Sequence, residues 1–266
     1  MENSFPPLSE QMRLQIDAFD PSLIYDFFAA SRFEDDENEE FACGEDLELS
    51  RSSVVGFSAD IPLQALYSAY RQGIFPWFSE EDGEDVIWWC PSPRFVLFPK
   101  DLHVPESLKK TLRKKPFTYT FDACFERVIR ECAAAKRAGQ DGTWIGKKII
   151  ESYTALHEVG FAHSVEAWSD GELAGGFYGV HLGGVFCGES MFTIKPNASK
   201  CAFVQFVRAF EKIGGKMIDS QVYTDNIARY GAKNISRTAF LRYEKDFFSA
   251  HLSADLGKAF VELSNQ

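Results

Sequence analysis

The sequence predicts an α+β fold, a larger mixed domain preceded by a smaller one, on three observations. Apolar side chains recur at helical spacing through residues 105–159, and the pattern then switches to a period of two across residues 162–192. Helix signals return after residue 197. Strands flanked by helices in this order suit an α+β layer. The chain divides into an acidic, weakly packed extension at 1–50, a small domain at 51–100 and the larger domain at 101–266.

The elements follow in order. PLQALYSAYRQG predicts a helix opened by Pro62 and closed by Gly73. The Trp- and Pro-rich stretch IFPWF to WWCPSPRFVLFP ends in a strand. A helix spans 105–115, and a second runs over 122–138 from an Asp122 cap, with Phe125, Val128, Ile129 and Cys132 on one stripe. A third covers 144–159 and stops at Gly160. AHSVEAWS, LAGGFYGVHL and GVFCGESMF form an antiparallel meander turning at Asp170-Gly171. Asn197 or Ser199 caps the next helix, whose stripe is Phe203, Phe206, Val207 and Phe210. KMIDSQV is a further strand, and Ser236 opens a last helix to about 250.

Composition narrows the function. The N-terminus lacks signal-peptide order, and no apolar run reaches the roughly 18–20 residues of a membrane span, so a cytoplasmic protein without membrane contact is expected. The six cysteines form no CxxC pair, no His/Cys/carboxylate spacing suits a metal, and no cofactor motif of the GxGxxG or GxxxxGK[ST] kind occurs. No heptad is visible, so a monomer is expected. The net charge of −11 discourages an RNA partner only at first sight, because residues 34–48 hold nine carboxylates and no Lys or Arg, leaving −2 elsewhere.

Three groups of residues carry candidate chemistry. Lys109, Lys110, Arg113 and Lys114 fall within about 140° of one helix face, opposite Leu108 and Leu112, with Lys115 at the end. Such a face suits RNA phosphates, or is simply solvated. Asp219 and Gln221 alternate on the predicted strand and share a side, fit to orient an amine and take its proton, or to meet solvent. Glu189, among Phe186, Met191 and Phe192, needs a partner if buried, as a site residue or a structural one. Nothing near Cys187 lowers its thiol pKa. The tryptophans suit a core or a stacking platform for unpaired bases.

Taken together, YRQGIFPWF (70–78), WWCPSPRFVLFP (88–99), GTWI (142–145), LHEVGFAHSVEAW (156–168), GGFYG (175–179), FCGESMF (186–192), NASK (197–200), GGKMIDSQV (214–222) and GAKNISR (231–237) resemble the leucyl/phenylalanyl-tRNA–protein transferase family. The resemblance implies an N-acetyltransferase-like (GNAT-like) domain behind a smaller N-terminal one. It implies transfer of Leu or Phe from aminoacyl-tRNA to the N-terminal α-amine of a protein, which marks that protein for degradation. Asp219, Gln221 and Glu189 match the family's catalytic positions. Trp144, Phe177, Phe186, Met191, Phe203, Phe206, Phe210 and Ile218 match its donor side-chain pocket, and Trp77 the aromatic near the terminal adenosine. The basic helix sits where the family contacts the tRNA acceptor stem.

The sequence also departs from the family. GFSAD (56–60) replaces the usual Gly-Gly-Asp-Leu-Ser, and Thr224, Asn226 and Arg229 stand where Asn, His and Ser are usual. Phe177 and Phe203 add rings to the pocket, which predicts a preference for Leu over Phe as donor. Arg229 raises the expectation of acidic acceptor N-termini.

Overall fold

The computed structural model describes residues 8–26, 53–79, 85–135 and 143–266. The acidic run at 34–48 lies outside them. Residues 8–26 depart from the expected loose extension. Glu10–Asp17 form α1, capped by the Ser9 hydroxyl, with Met12 buried against the hydrophobic core. Gln15 Oε1 accepts from the Leu63 N–H at 2.7 Å, and Glu151 accepts from the Ser9 N–H at 2.9 Å. Met12, Ile16 and Phe19 supply the apolar stripe that the polar composition of this segment conceals.

The small unit comprises β1 (Val54–Ser58), α2 (Leu63–Tyr70), β2 (Phe75–Pro76) and β3 (Val86–Trp89), its three strands ordered β1-β3-β2. Helix α2 starts at Pro62 and stops where Gly73 takes φ +71°. A Cβ there would meet Phe240 and Leu241 at 2.8 Å, so only glycine fits. The predicted boundary near residue 100 falls too late, because β4 (Arg94–Leu97) already pairs within the larger sheet.

That sheet is built with β5 (Thr118–Phe121), β6 (Ala162–Ser169), β7 (Glu172–Leu182), β8 (Val185–Thr193), β9 (Met217–Asp219) and β10 (Lys233–Ile235). Its order is β10-β4-β9-β8-β7-β6-β5, antiparallel except for the parallel pair β8–β9. Helices cover both faces, which gives a mixed α+β architecture. On one side α2, α4 (Phe125–Ala134) and α5 (Lys147–Glu158) enclose Tyr153, Tyr178, Cys187 and Met217. On the other, α6 (Ala198–Lys212) and the C-terminal helix α9 (Leu256–Ser264) enclose Phe177, Phe186, Phe206 and Ile218. Adjacent residues 177/178, 186/187 and 217/218 therefore enter opposite cores, as a pleat of period two requires.

Three local expectations are corrected. Asp122 does not cap α4. It sits at φ +55°, where its carboxylate accepts from the Ser164 N–H and pairs with His163. Neither Asn197 nor Ser199 caps α6 with its side chain; the Thr193 hydroxyl accepts from the Ser199 N–H instead. The helix capped by Ser236, α8 (Arg237–Phe248), is not the last, since α9 follows and buries Phe260. Among the described residues, no helix is long and apolar enough to cross a membrane, and Cys90, Cys124, Cys132, Cys187 and Cys201 are free thiols.

Candidate functional site

Strands β8 and β9 run side by side only as far as the Cys187–Asp219 register and then part. The gap opens into a hollow of about 590 Å³, within the range of small-molecule sites. Phe177, Phe186, Met191, Phe203, Ile218 and Trp144 line it, with Trp77 at the β2 side. Two predicted pocket residues stand one layer back. Phe206 and Phe210 stack on each other at 5.7 Å, and Phe206 backs Phe186 at 4.5 Å and Phe177 at 5.4 Å. They shape the wall without forming its surface.

Glu189 enters this hollow because of an irregularity in its strand. Tyr178 pairs with Ser190 and Gly179 with Gly188, so Glu189 is the extra residue of a β-bulge. Gly179 permits the close approach opposite it, since a Cβ there would lie 2.3 Å from the Cys187 carbonyl oxygen. The Glu189 carboxylate accepts from Tyr70 Oη at 2.6 Å and Gln221 Nε2 at 2.9 Å through Oε1, and from Tyr153 Oη at 3.3 Å through Oε2. The Tyr70 and Tyr153 hydroxyl oxygens also lie 2.5 Å apart. Burial pushes the Glu189 carboxyl up to about 7; the Tyr70 hydrogen bond opposes this, and the negative charge of Asp219 reinforces it.

Asp219 and Gln221 do not share a strand face. β9 ends at Asp219, and Gln221 adopts the left-handed region at φ +56°. Ile218 faces the ring-lined side, so the pleat turns Asp219 to the opposite face, where it is fully buried and outside the hollow. There it accepts from Arg94 Nε at 2.8 Å and Arg94 Nη2 at 2.6 Å, and from the Gln221 N–H at 2.9 Å. Gln221 lines the hollow, and its carboxamide reaches Glu189.

Several lining residues escape sequence reasoning, among them Phe75, Tyr178, Ser220 and Tyr223. Of the three departures after Gln221, Thr224 and Asn226 line the hollow, and Asn226 Nδ2 contacts Met191 Sδ at 2.8 Å. Arg229 is exposed and off the lining, its Nε donating to the Asp225 carbonyl. Cys187 is buried, and desolvation pushes its thiol well up, which removes it as a nucleophile.

The basic helix α3 (Glu106–Arg113) buries Leu108 and turns Lys110, Arg113 and Lys114 to solvent. Lys109 is engaged by Glu106 at 2.7 Å, and Lys115 Nζ donates to the C-terminal Gln266 carbonyl. Folding also gathers Asp122, His157 and His163 within 4.8 Å, a cluster that spacing along the chain does not reveal.

The family model for the leucyl/phenylalanyl-tRNA protein transferase matches residues 96–245, and the model for the N-terminal domain of the same family matches residues 59–92. The leucyl/phenylalanyl-tRNA–protein transferase of Myxococcus xanthus (strain DK1622) is 50% identical over 72% of this chain and 81% of its own length. That of Laribacter hongkongensis (strain HLHK9) is 49% identical over 77% of this chain and 87% of its own. Among solved structures, L-PGS from Bacillus licheniformis aligns with 72% of each chain at a TM-score of 0.33 and 11% identity.

Proposed function

This chain belongs to the leucyl/phenylalanyl-tRNA–protein transferase family, and on that premise we propose that it moves Leu or Phe from aminoacyl-tRNA to the N-terminal α-amine of acceptor proteins. The new N-terminal residue marks the acceptor for degradation. One observation carries the site assignment: an apolar, ring-lined hollow holds a carboxylate at a β-bulge, where burial pushes it up to about 7.

The donor side chain occupies the rings of Phe177, Phe186, Met191, Phe203 and Ile218, with Trp144 beside them and Trp77 toward the adenosine. Phe206 and Phe210 stiffen the wall behind. The acceptor amine has a pKa near 8, so part of it is neutral at neutral pH. Its nitrogen attacks the ester carbonyl, the N–C bond forms, and the bond to the ribose oxygen breaks. Glu189 takes the amine proton and returns it to the departing ribose oxygen. Its Oε2, which among the described residues meets only Tyr153, at 3.3 Å, is the oxygen left for that proton. Gln221 donates to Oε1 and offers its own carbonyl oxygen to an amine N–H. Backbone N–H groups near Gly188–Ser190 are the oxyanion donors of this reading. Holding amine and ester together supplies several kcal/mol, and the proton acceptor adds about 10²–10⁴ in rate.

The larger unit is an N-acetyltransferase-like domain in this reading, a fold supported by the parallel pair β8–β9 set in an otherwise antiparallel sheet and parting at the site. Lys110, Arg113 and Lys114, with Lys109 and Lys115 at their flanks, bind the tRNA acceptor stem. The enzyme works as a cytoplasmic monomer, where charged tRNA is found, and needs no cofactor. Acidic acceptors gain no support from the lining, because Arg229 stands off it. Incubation with radiolabelled leucyl-tRNA and peptides beginning with Arg, Lys, Asp or Glu tests the proposal. Label is expected on peptides and is abolished by ribonuclease treatment of the donor. Label that survives ribonuclease, or tRNA binding without any labelled peptide, overturns it.

A further inference from the structure

We propose that Arg94 is the positioning residue of this site: its guanidinium holds, through two separate arms, Tyr70 and Gln221, the two groups that among the described residues donate to Oε1 of Glu189. The inference rests on the proposed role of Glu189 and extends it to a residue outside the hollow.

Arg94 is 1% exposed and offers its N–H groups to three oxygens. Nε and Nη2 fork onto the two oxygens of Asp219, and Nη1 donates to the Gly73 carbonyl at 2.9 Å. The rings of Phe240 and Phe75 cover its faces, with the guanidinium carbon 4.3 Å and 5.0 Å from their centroids. A planar fork with fixed donors sets direction as well as charge, which a lysine ammonium does not.

The first arm runs through Asp219. Its Oδ1, held by Arg94, accepts from the Gln221 N–H at 2.9 Å. Gln221 stands at φ +56°, a region a non-glycine residue enters only when its surroundings hold it there. The strand that carries Arg94 also holds this turn by its backbone: Phe95 donates to the Gln221 carbonyl at 3.0 Å and accepts from the Ser220 N–H at 2.9 Å. The Gln221 side chain then reaches Glu189. The second arm runs through Gly73, whose N–H donates to the Tyr70 carbonyl at 3.3 Å, while Tyr70 Oη donates to Glu189 at 2.6 Å. A buried ion pair is not needed for stability, since apolar residues of similar volume often serve as well. What this pair does that an apolar pair does not is fix Gln221 and the Tyr70 turn in relation to Glu189.

Two double variants separate positioning from a merely structural role. Arg94→Met with Asp219→Leu removes the pair and the acceptor of the Gln221 N–H. Arg94→Met with Asp219→Asn removes the charges but keeps an acceptor oxygen. Leucyl transfer to peptide by the full chain is followed by kcat and KM, and folding by thermal melting. The Leu double is expected to melt like the parent, lose kcat by about tenfold or more and keep its KM for leucyl-tRNA within about twofold; the Asn double, which restores the acceptor of the Gln221 N–H but neither arm of Arg94, is expected to stay well below the parental kcat. Parental kcat in either double variant overturns the proposal, since both lack Arg94. Should a double variant fail to fold, Arg94→Lys alone decides: a fall in kcat at unchanged KM supports the proposal, and parental kcat overturns it. If the parent enzyme itself labels no peptide, the transferase reading fails separately. The crystal structure of the Leu double then decides, because Gln221 still at its left-handed turn overturns the brace and Gln221 displaced supports it.

Discussion

Replacing Glu189 with Gln should change the protein's stability little below neutrality and raise it above. The fold holds this carboxyl at about 7, against an ordinary value of 4.5, because burial disfavours its charged form. Between those values the folded state binds a proton that the unfolded chain has released. Folding stability therefore falls as pH rises through this window and levels off above about 7. The displacement corresponds to at most about 3 kcal/mol, the mouth of the hollow admitting some water to the group. Glutamine keeps the acceptor for Tyr70 and Gln221 but cannot ionise. Urea denaturation of parent and Glu189→Gln at about pH 5 and about pH 8 reads the effect. Relative to the parent, the variant should gain about 2–3 kcal/mol on going from the lower to the higher pH. A stability difference that stays the same at both values refutes the claim that the fold presses on this carboxylate.

Other outcomes follow from the same geometry. Phe177→Met and Phe203→Leu enlarge the hollow, so the kcat/KM ratio of phenylalanyl to leucyl transfer should rise about tenfold, and an unchanged ratio contradicts the lining. Replacing Lys109, Lys110, Arg113 and Lys114 with Ala should flatten the salt dependence of tRNA binding by up to about four phosphate contacts. The Glu106 pairing of Lys109 trims that number, and an unchanged slope removes α3 from the RNA surface. Gly179→Ala drives a methyl against the Cys187 carbonyl, so a loss of about 2 kcal/mol and a lower melting temperature are expected, together with reduced transfer as the bulge shifts. A variant as stable and active as the parent contradicts the tight approach at the bulge.

Much of the scaffold was legible because it follows local rules. Pro62 and Gly73 bracket α2, and Asp170-Gly171 turns the meander. The alternation along β7 and β8 splits Phe177 from Tyr178 and Phe186 from Cys187, so the ring wall was readable as well. What stayed hidden depends on partners distant in the chain or on departures from regularity. The Arg94–Asp219 pair spans 125 residues and engages both oxygens of the carboxylate. Gln221 looks like a strand residue, yet β4 and Asp219 hold it in a left-handed turn that its identity does not announce. The bulge at Glu189 is a matter of register between two strands, which no single strand records. Helices α1 and α9 escape the sequence reading, the first being polar overall and the second following the helix expected to be the last.

The claim at the centre is that Glu189, not Asp219, accepts the proton of the attacking amine. The pH dependence of kcat/KM for leucyl transfer by parent and Glu189→Gln tests it most directly. Two ionisations are predicted for the parent, Glu189 at about 7 and the acceptor amine near 8, so well below both the logarithm of the rate should fall with a slope of about two. In the variant only the amine titrates; the slope drops to about one, and the plateau falls by about 10²–10⁴. A variant that keeps the steeper slope and the parental plateau contradicts the account.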